Sequence, residues 1–310
     1  MPPEAAGRAG PPEAAGSARP AGPAGPAAPA RAGPRRAAVL GKPVAHSRSP
    51  DIHRAGYAAA GLAGWSYTAV ECAESELAGL VAGLGAEWAG VSLTMPLKEV
   101  ALRVASSASA LATTLGAANT LVRQGDGGWH AENTDAPGMA DALRPALAGA
   151  VRSVAVLGAG GTARAALAAA AGLGAASATV YARRPAAVAA LDPVAAALGL
   201  PMSHGDWARV AAAGQADVVV STVPKGAADP VAPTVAWGPS TVLLDALYDP
   251  WPTALAASAA RAGRPVVSGL ELLLAQAVRQ FTLFTGVPAP VAAMRAALGG
   301  GRAGDSRLRS

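Results

Sequence analysis

Val154-Ala-Val-Leu-Gly-Ala-Gly-Gly-Thr-Ala-Arg164 decides the fold of this chain. An apolar run of four residues bounded by a glycine reads as a buried strand, and the Ala-rich stretch from Thr162 to Leu173 reads as a helix. Glycines permit the tight turn between them, and bare N–H groups at the helix start suit a pyrophosphate. Gly158, Ala159, Gly160, Gly161, Thr162 and Ala163 are therefore candidate cofactor contacts. Ala163 stands where a Gly-x-Gly-x-x-Gly loop has its third glycine, so a plain structural turn is the alternative.

Downstream, Thr179-Val-Tyr-Ala182, Val218-Val-Val-Ser221 and Thr241-Val-Leu-Leu244 supply further strands between Ala-rich helical stretches. That alternation predicts a doubly wound parallel sheet. An NAD site places Asp or Glu about 20 residues beyond the loop, to accept from the ribose 2′-OH. Ala182-Arg183-Arg184-Pro185 occupies that place with no acid nearby. An arginine pair binds a 2′-phosphate through charge-assisted forks, so Arg183 and Arg184 favour NADP. Two solvated arginines on a turn are the alternative.

Upstream, Ala37-Ala-Val-Leu40, Trp65 to Val70 and Gly90-Val-Ser92 read as strands, with helices after Ser49-Pro50 and over residues 74–83. Ser49 is expected to cap its helix, with Pro50 at the first helical position. Ala118 to Arg123 and Gly128 to Ala131 read as a hairpin around Gly125-Asp-Gly127. A helix over about 136–147 bridges to the second half, a long amphipathic helix runs from Gly269 to about Thr285, and a last one lies near 290–298. The expected class is α/β: a substrate domain over 37–135, a Rossmann-type doubly wound domain over 136–267, and C-terminal helices over 268–300 returning to the substrate domain.

Residues 1–36 are almost wholly Ala, Pro, Gly, Arg and Glu, and repeat Pro-Pro-Glu-Ala-Ala-Gly at 2–7 and 11–16. Such a segment cannot pack a core, and we expect disorder there and over 301–310. These ends also carry the charge. Residues 1–36 hold five Arg against two Glu, and 301–310 hold three Arg against one Asp, which accounts for the whole net charge of +5. A nucleic-acid surface needs basic residues on the folded part together with stacking aromatics, and aromatics make up only 4%. Nucleic acid is excluded. The single Cys72 rules out a disulfide framework, and the four His show no ligand spacing, so no metal is expected. No uninterrupted apolar run reaches the ~18 residues of a membrane span. The N-terminus lacks the charged and apolar regions of a signal peptide, and the expected compartment is the cytoplasm.

Two segments carry chemistry. Ser92-Leu-Thr-Met-Pro-Leu-Lys98 and Asn133-Thr-Asp135 set a lysine and an aspartate among small polar residues. A Lys/Asp pair moves a proton while a nicotinamide moves a hydride, which suits a carbonyl on a hydroxylated small molecule. Ser47-Arg48-Ser49-Pro50 places two hydroxyls at a helix start, where an anion is favoured.

Gly41-Lys-Pro-Val-Ala-His-Ser-Arg-Ser-Pro50, Thr94-Met-Pro-Leu-Lys98, Gly116-Ala-Ala-Asn-Thr120, Asn133-Thr-Asp135, Gly158-Ala-Gly-Gly161 and Gly269 through Gln276 occur in one order. Together they resemble the NADP-dependent shikimate dehydrogenase family over about residues 37–298. The resemblance implies reversible reduction of 3-dehydroshikimate to shikimate by a monomer or homodimer. It implies Lys98 and Asp135 as the catalytic pair and Ser47, Ser49 and Tyr248 around the carboxylate. It implies Thr94, Asn119 and Gln276 on ring hydroxyls, and adds Ser221, Thr222 and Gly269 to the cofactor contacts.

Three positions depart from the family pattern. Ser92 stands where Asn is frequent, Glu271 where a small residue is frequent near the nicotinamide end, and Ala182 where the phosphate-binding turn has Asn. Glu271 either disturbs the cofactor or faces solvent. An NAD-dependent quinate/shikimate dehydrogenase is the nearest rival, and Arg183-Arg184 argues against it. A non-catalytic relative would be expected to lack Lys98 or Asp135, and both are present.

Overall fold

The computed structural model describes residue 33 and residues 35–299 of the 310-residue chain. The extension expected to be disordered over 1–36, apart from Gly33, Arg35 and Arg36, and the tail over 301–310 lie outside the described residues.

The chain first lays down β1 (Arg36–Gly41), α1 (Ser49–Ala59), β2 (Ser66–Glu71), α2 (Leu77–Ala82) and β3 (Trp88–Leu93). It continues through α3 (Ala101–Val104), β4 (Ser107–Ala108), α4 (Ala110–Leu115), β5 (Thr120–Arg123) and β6 (Trp129–Glu132). These strands form one sheet in the order β2-β1-β3-β5-β6-β4. β1 pairs in parallel with β2 and β3, whereas β3, β5 and β6 run antiparallel, as the hairpin signal predicts. Asp126 closes that hairpin by accepting from the Gly128 N–H at 2.8 Å.

α5 (Asp135–Leu143) leaves this sheet. It stops before the expected Leu147 because Pro145 has no N–H to extend the ladder, and a 3₁₀ turn over Arg144–Ala146 follows. The second sheet takes β7 (Ser153–Leu157), α6 (Gly161–Gly172), β8 (Ser177–Ala182), α7 (Pro185–Ala189), α8 (Asp192–Ala197) and β9 (Met202–Asp206). It is completed by β10 (Val218–Ser221), β11 (Val242–Asp245), α9 (Ala254–Arg261) and β12 (Val266–Ser268). Its order is β12-β11-β10-β7-β8-β9, with every pair parallel. This is the dinucleotide-binding order, reversing direction between β7 and β10. β4, β9 and β12 escape the sequence reading: two are three residues or fewer, and β9 is a half-exposed Met-Ser-His-Gly-Asp edge.

Strand alternation explains the packing. On β1, Ala38 and Leu40 enter one core while Ala37 and Val39 enter another on the opposite face. On β7, Val154 and Val156 face the core under α6, whereas Ala155 and Leu157 face the core under α9. α10 (Gly269–Thr285) and α11 (Val291–Gly299) then carry the chain back to the first sheet. Leu272 belongs to the second sheet's core, while Leu274, Ala277, Phe281 and Phe284 join the core on β1 and β2. Each fully buried Phe contributes on the order of 1.5–3 kcal/mol to that return.

Candidate active site

A cleft of about 310 Å³ is lined by ends of both sheets and by α10. It gathers Ser47, Ser49, Thr94, Lys98, Asn119 and Asp135 with Thr162, Tyr248, Gly269 and Gln276. Lys98 follows β3 in a turn closed by Leu97 N–H on Thr94 O at 2.8 Å and pinned by the fully buried Leu97. Asp135 opens α5. Lys98 Nζ donates to Asp135 Oδ2 at 2.6 Å, and Asn119 Nδ2 donates to Asp135 Oδ1 at 2.8 Å. An ammonium has three donors, so two of the lysine's remain for a ligand in the cleft.

The serines differ from expectation. Arg48, already helical at φ −87° and ψ 0°, takes the cap position of α1, and no side chain caps it. Ser49 is the first helical residue, and its N–H donates to Ser47 Oγ at 3.3 Å. The Ser49 hydroxyl is therefore not spent on capping. Arg48 donates instead to Asp51 Oδ2 at 2.7 Å and to Ala297 O at 3.0 Å, which leaves two neutral hydroxyls on the cleft wall. Tyr248 faces them, and burial pushes its phenol above the usual range, so it remains a neutral donor.

Behind the cleft the polar groups satisfy one another, as buried polar groups must. Asn119 Oδ1 accepts from Thr134 N–H at 2.8 Å and from the Thr120 hydroxyl at 2.9 Å, which orients its Nδ2 toward Asp135. Gln280 Nε2 donates to Thr120 Oγ1 at 2.9 Å, and Gln280 Oε1 accepts from Ser92 Oγ at 2.7 Å. Ser92 in turn accepts from the Tyr67 hydroxyl at 2.7 Å, so the residue that departs from the family pattern is fully engaged. Gln280, Ser92 and Thr120 are not among the expected site contacts. Ser92 and Thr120 stand inside the quoted motifs, and Gln280 carried a signal of its own: it lies one helical turn after Gln276 on α10 and shares its face. Gly138 permits the close crossing that delivers Gln276, since a Cβ there would lie 2.9 Å from Gln276 N.

The glycine loop sits at the switch point of the parallel sheet. Gly158 adopts φ +106°, and a Cβ on it would approach Thr222 Oγ1 to 2.5 Å. Only glycine suits that backbone. α6 begins at Gly161 with no side chain capping it, and Gly160 is extended. Arg183 and Arg184 stand exposed at the end of β8 with no partner among the described residues. The Gly158 N–H is spent on Tyr181 O at 2.8 Å, so the turn offers its amides only from Ala159 onward, and with two unspent guanidinium groups these fit a phosphorylated dinucleotide.

Not all expected contacts gather there. Ala163 is fully buried in the core, and its N–H is used by Gly160 O at 2.9 Å, so it offers a ligand nothing. The Thr222 hydroxyl donates to Leu157 O at 2.9 Å, tying β10 to β7. Ser221 is buried against a separate hollow of about 180 Å³, beside Asp245, whose carboxyl burial pushes above its usual value. Glu271 makes an exposed two-oxygen ion pair with Arg295 of α11 at 2.6 and 2.7 Å, which favours the solvent-facing reading. Among the described residues no group of three or more His, Cys, Asp or Glu is placed to hold a metal, and no helix is long and apolar enough to cross a membrane.

A parallel sheet in dinucleotide order, joined at a polar cleft to a Lys–Asp pair from a second sheet, defines an oxidoreductase of the nicotinamide-nucleotide class. Residues 39–121 match the shikimate dehydrogenase substrate binding domain, and residues 269–298 match the shikimate 5′-dehydrogenase C-terminal domain. The chain is 38% identical over 261 residues to the NADP(+) shikimate dehydrogenase of Caulobacter vibrioides, covering 81% of this chain and 90% of that protein. Its fold is similar to the crystal structure of Mycobacterium tuberculosis shikimate dehydrogenase, with a TM-score of 0.79, 48% identity, and coverage of 86% and 99% of the two chains. It is also similar to the Thermus thermophilus enzyme in complex with NADP(H) and shikimate, with a TM-score of 0.75, 32% identity, and coverage of 85% and 98%. The chain belongs to the shikimate dehydrogenase family.

Proposed function

We propose that this protein is an NADP-dependent shikimate dehydrogenase that interconverts 3-dehydroshikimate and shikimate. The observation that carries the reading is the Lys98–Asp135 pair at 2.6 Å, held in a cleft lined by neutral hydroxyls and amides. Such a wall suits a small ring bearing a carboxylate and hydroxyls. Ser47, Ser49 and Tyr248 take the carboxylate; Thr94, Asn119 and Gln276 take ring hydroxyls.

NADPH, when bound, supplies the hydride. Ala159 to Thr162 hold its pyrophosphate through backbone amides, and Arg183 and Arg184 take the 2′-phosphate. Lys98 Nζ donates to the C3 carbonyl oxygen and stabilises or protonates the alkoxide as charge develops there. Asp135 holds the ammonium in place and shares the proton. In the oxidative direction the same pair accepts the C3 hydroxyl proton.

The two sheets are taken as two domains, divided near 135/136 and 267/268, with α10 as the return. Closure of the cleft between them would shed water from the reacting carbonyl. The protein is taken to act in the cytoplasm, as a monomer or homodimer, on a small-molecule substrate and not on nucleic acid.

Initial rates with shikimate and quinate, each against NADP⁺ and NAD⁺, test the reading. The expected result is turnover of shikimate with NADP⁺ above every other pairing. A preference for quinate with NAD⁺, or no turnover of any pair, overturns it.

A further inference from the structure

Thr162 belongs to the nucleotide loop by sequence, yet it lines the same cleft as Lys98, Asp135 and the serines. It is the only residue of the turn from Gly158 to Thr162 that does so. Its hydroxyl has no hydrogen-bond partner among the described residues, although a threonine hydroxyl carries one donor and two acceptor sites. The neighbouring Gly161 brings the loop against Lys98 independently. A Cβ at Gly161 would lie 3.9 Å from Lys98 Cδ and 4.0 Å from Lys98 Cβ. The start of α6 thus flanks the lysine stem and presents an unspent hydroxyl to whatever the lysine binds.

We infer that Thr162 couples the two ligands, its hydroxyl contacting the cyclic substrate in the cleft while its backbone helps hold the dinucleotide. This rests on the substrate and cofactor proposed above. The physical argument is one of ordering. Dinucleotide at the loop amides fixes the first turn of α6, and with it the direction of the Thr162 hydroxyl. Substrate arriving second then meets a donor whose freedom is already lost, and it binds more tightly. By linkage, substrate tightens dinucleotide binding by the same factor. Ser47, Ser49 and Tyr248 share no hydrogen bond with the loop among the described residues, and they supply substrate affinity without coupling.

The test is titration calorimetry of NADP⁺ with and without saturating 3-dehydroshikimate, two oxidised ligands that cannot react with each other. The wild-type protein is expected to bind NADP⁺ about tenfold more tightly when 3-dehydroshikimate is present. Thr162→Val should bring that ratio to within about twofold of one, and Thr162→Ser should retain it. Thermal melts check that each variant folds, and Thr162→Ala replaces the valine variant if it does not. An unchanged ratio in the valine or alanine variant overturns the inference, as does a wild-type ratio of one or a serine variant that behaves like valine. Failure of the wild-type protein to bind either ligand instead overturns the proposed function itself.

Discussion

Lys98 Nζ lies 2.6 Å from Asp135 Oδ2, while the other oxygen of the same carboxylate accepts from Asn119 at 2.8 Å. The aspartate is thus held from two sides by groups beside different strands of one sheet, Lys98 in the turn after β3 and Asn119 just before β5. Its remaining freedom is small, and the ammonium it holds is aimed at the cleft. A pair built this way places a proton donor without having to reorganise during reaction.

On the proposed mechanism, Lys98→Ala lowers kcat by about 10²–10⁴-fold, the usual range for a positioned acid–base group. Asp135→Asn keeps the shape but removes the charge that holds the ammonium, and should fall in the same range. Both variants should melt cooperatively, because neither side chain belongs to a hydrophobic core. Turnover at the wild-type rate in Lys98→Ala would sink the mechanism.

Arg183 and Arg184 make no bond within the described protein, so their removal should cost the fold little. A charge-assisted hydrogen bond to a phosphate contributes about 1.5–3 kcal/mol, or roughly ten- to a hundredfold in binding. The double variant Arg183→Ala/Arg184→Ala should raise KM for NADPH by at least that factor and leave KM for NADH unchanged. Equal losses with both cofactors would remove the arginines from 2′-phosphate recognition.

Much of this architecture is legible before any coordinates. The β7–glycine–α6 run announces a dinucleotide sheet because a parallel strand is apolar throughout, and Lys98 and Asp135 stand out as charges among small polar neighbours at element ends. Other features are hidden for physical reasons. β9 is an edge whose exposed face carries polar residues, so it lacks a strand's alternation. Ser49 carries the residue type of a cap, but Arg48 is already helical and the capping position moves back by one. Ser92 reads only as a departure from Asn, and its partners Tyr67 and Gln280 are distant in sequence. Glu271 leaves two readings open, disturbing the cofactor or facing solvent, and its exposed pairing with Arg295 on α11 favours the second. Each of these depends on a partner or a local geometry that the residue's own neighbours do not announce.

Gly138 lies against the backbone of α10, where a Cβ would sit 2.9 Å from Gln276 N and 3.0 Å from Gln276 Cα. Backbone cannot swing aside as a side chain can, so Gly138→Ala must push α5 from α10. Asp135, one turn earlier on α5, and Gln276 move apart with it. An overpacked contact of this kind costs about 1–3 kcal/mol. Gly138→Ala should lower Tm and raise KM for shikimate together, measurable by calorimetry and initial rates. A variant with wild-type KM would show that this crossing does not set the substrate site.

His53 on α1 supplies a pH dependence of stability. Its ring is fully buried and stacks on Tyr67 at 4.1 Å between centroids, with Tyr57, Phe281 and Phe284 closing the cage. Neither ring nitrogen has a hydrogen-bond partner among the described residues, and the Gln280 side chain lies alongside without reaching hydrogen-bond geometry. Burial pushes the imidazole pKa from 6.5 down to about 3, with Gln280 working weakly the other way. The folded protein therefore keeps His53 neutral where the unfolded chain protonates it. Above pH 6.5 neither state takes the proton and the contribution to stability is constant. As pH falls from 6.5 toward about 3 the unfolded state binds one more proton than the folded state, and stability drops. The slope approaches about 1.4 kcal/mol per pH unit for a single proton. His53→Phe keeps an aromatic ring in the cage and removes the titration. Urea unfolding between pH 7 and pH 4.5 should show the wild-type protein losing stability faster than the variant as pH falls, by about that slope once below pH 6. Parallel curves for the two proteins would mean that His53 is not held neutral by its burial.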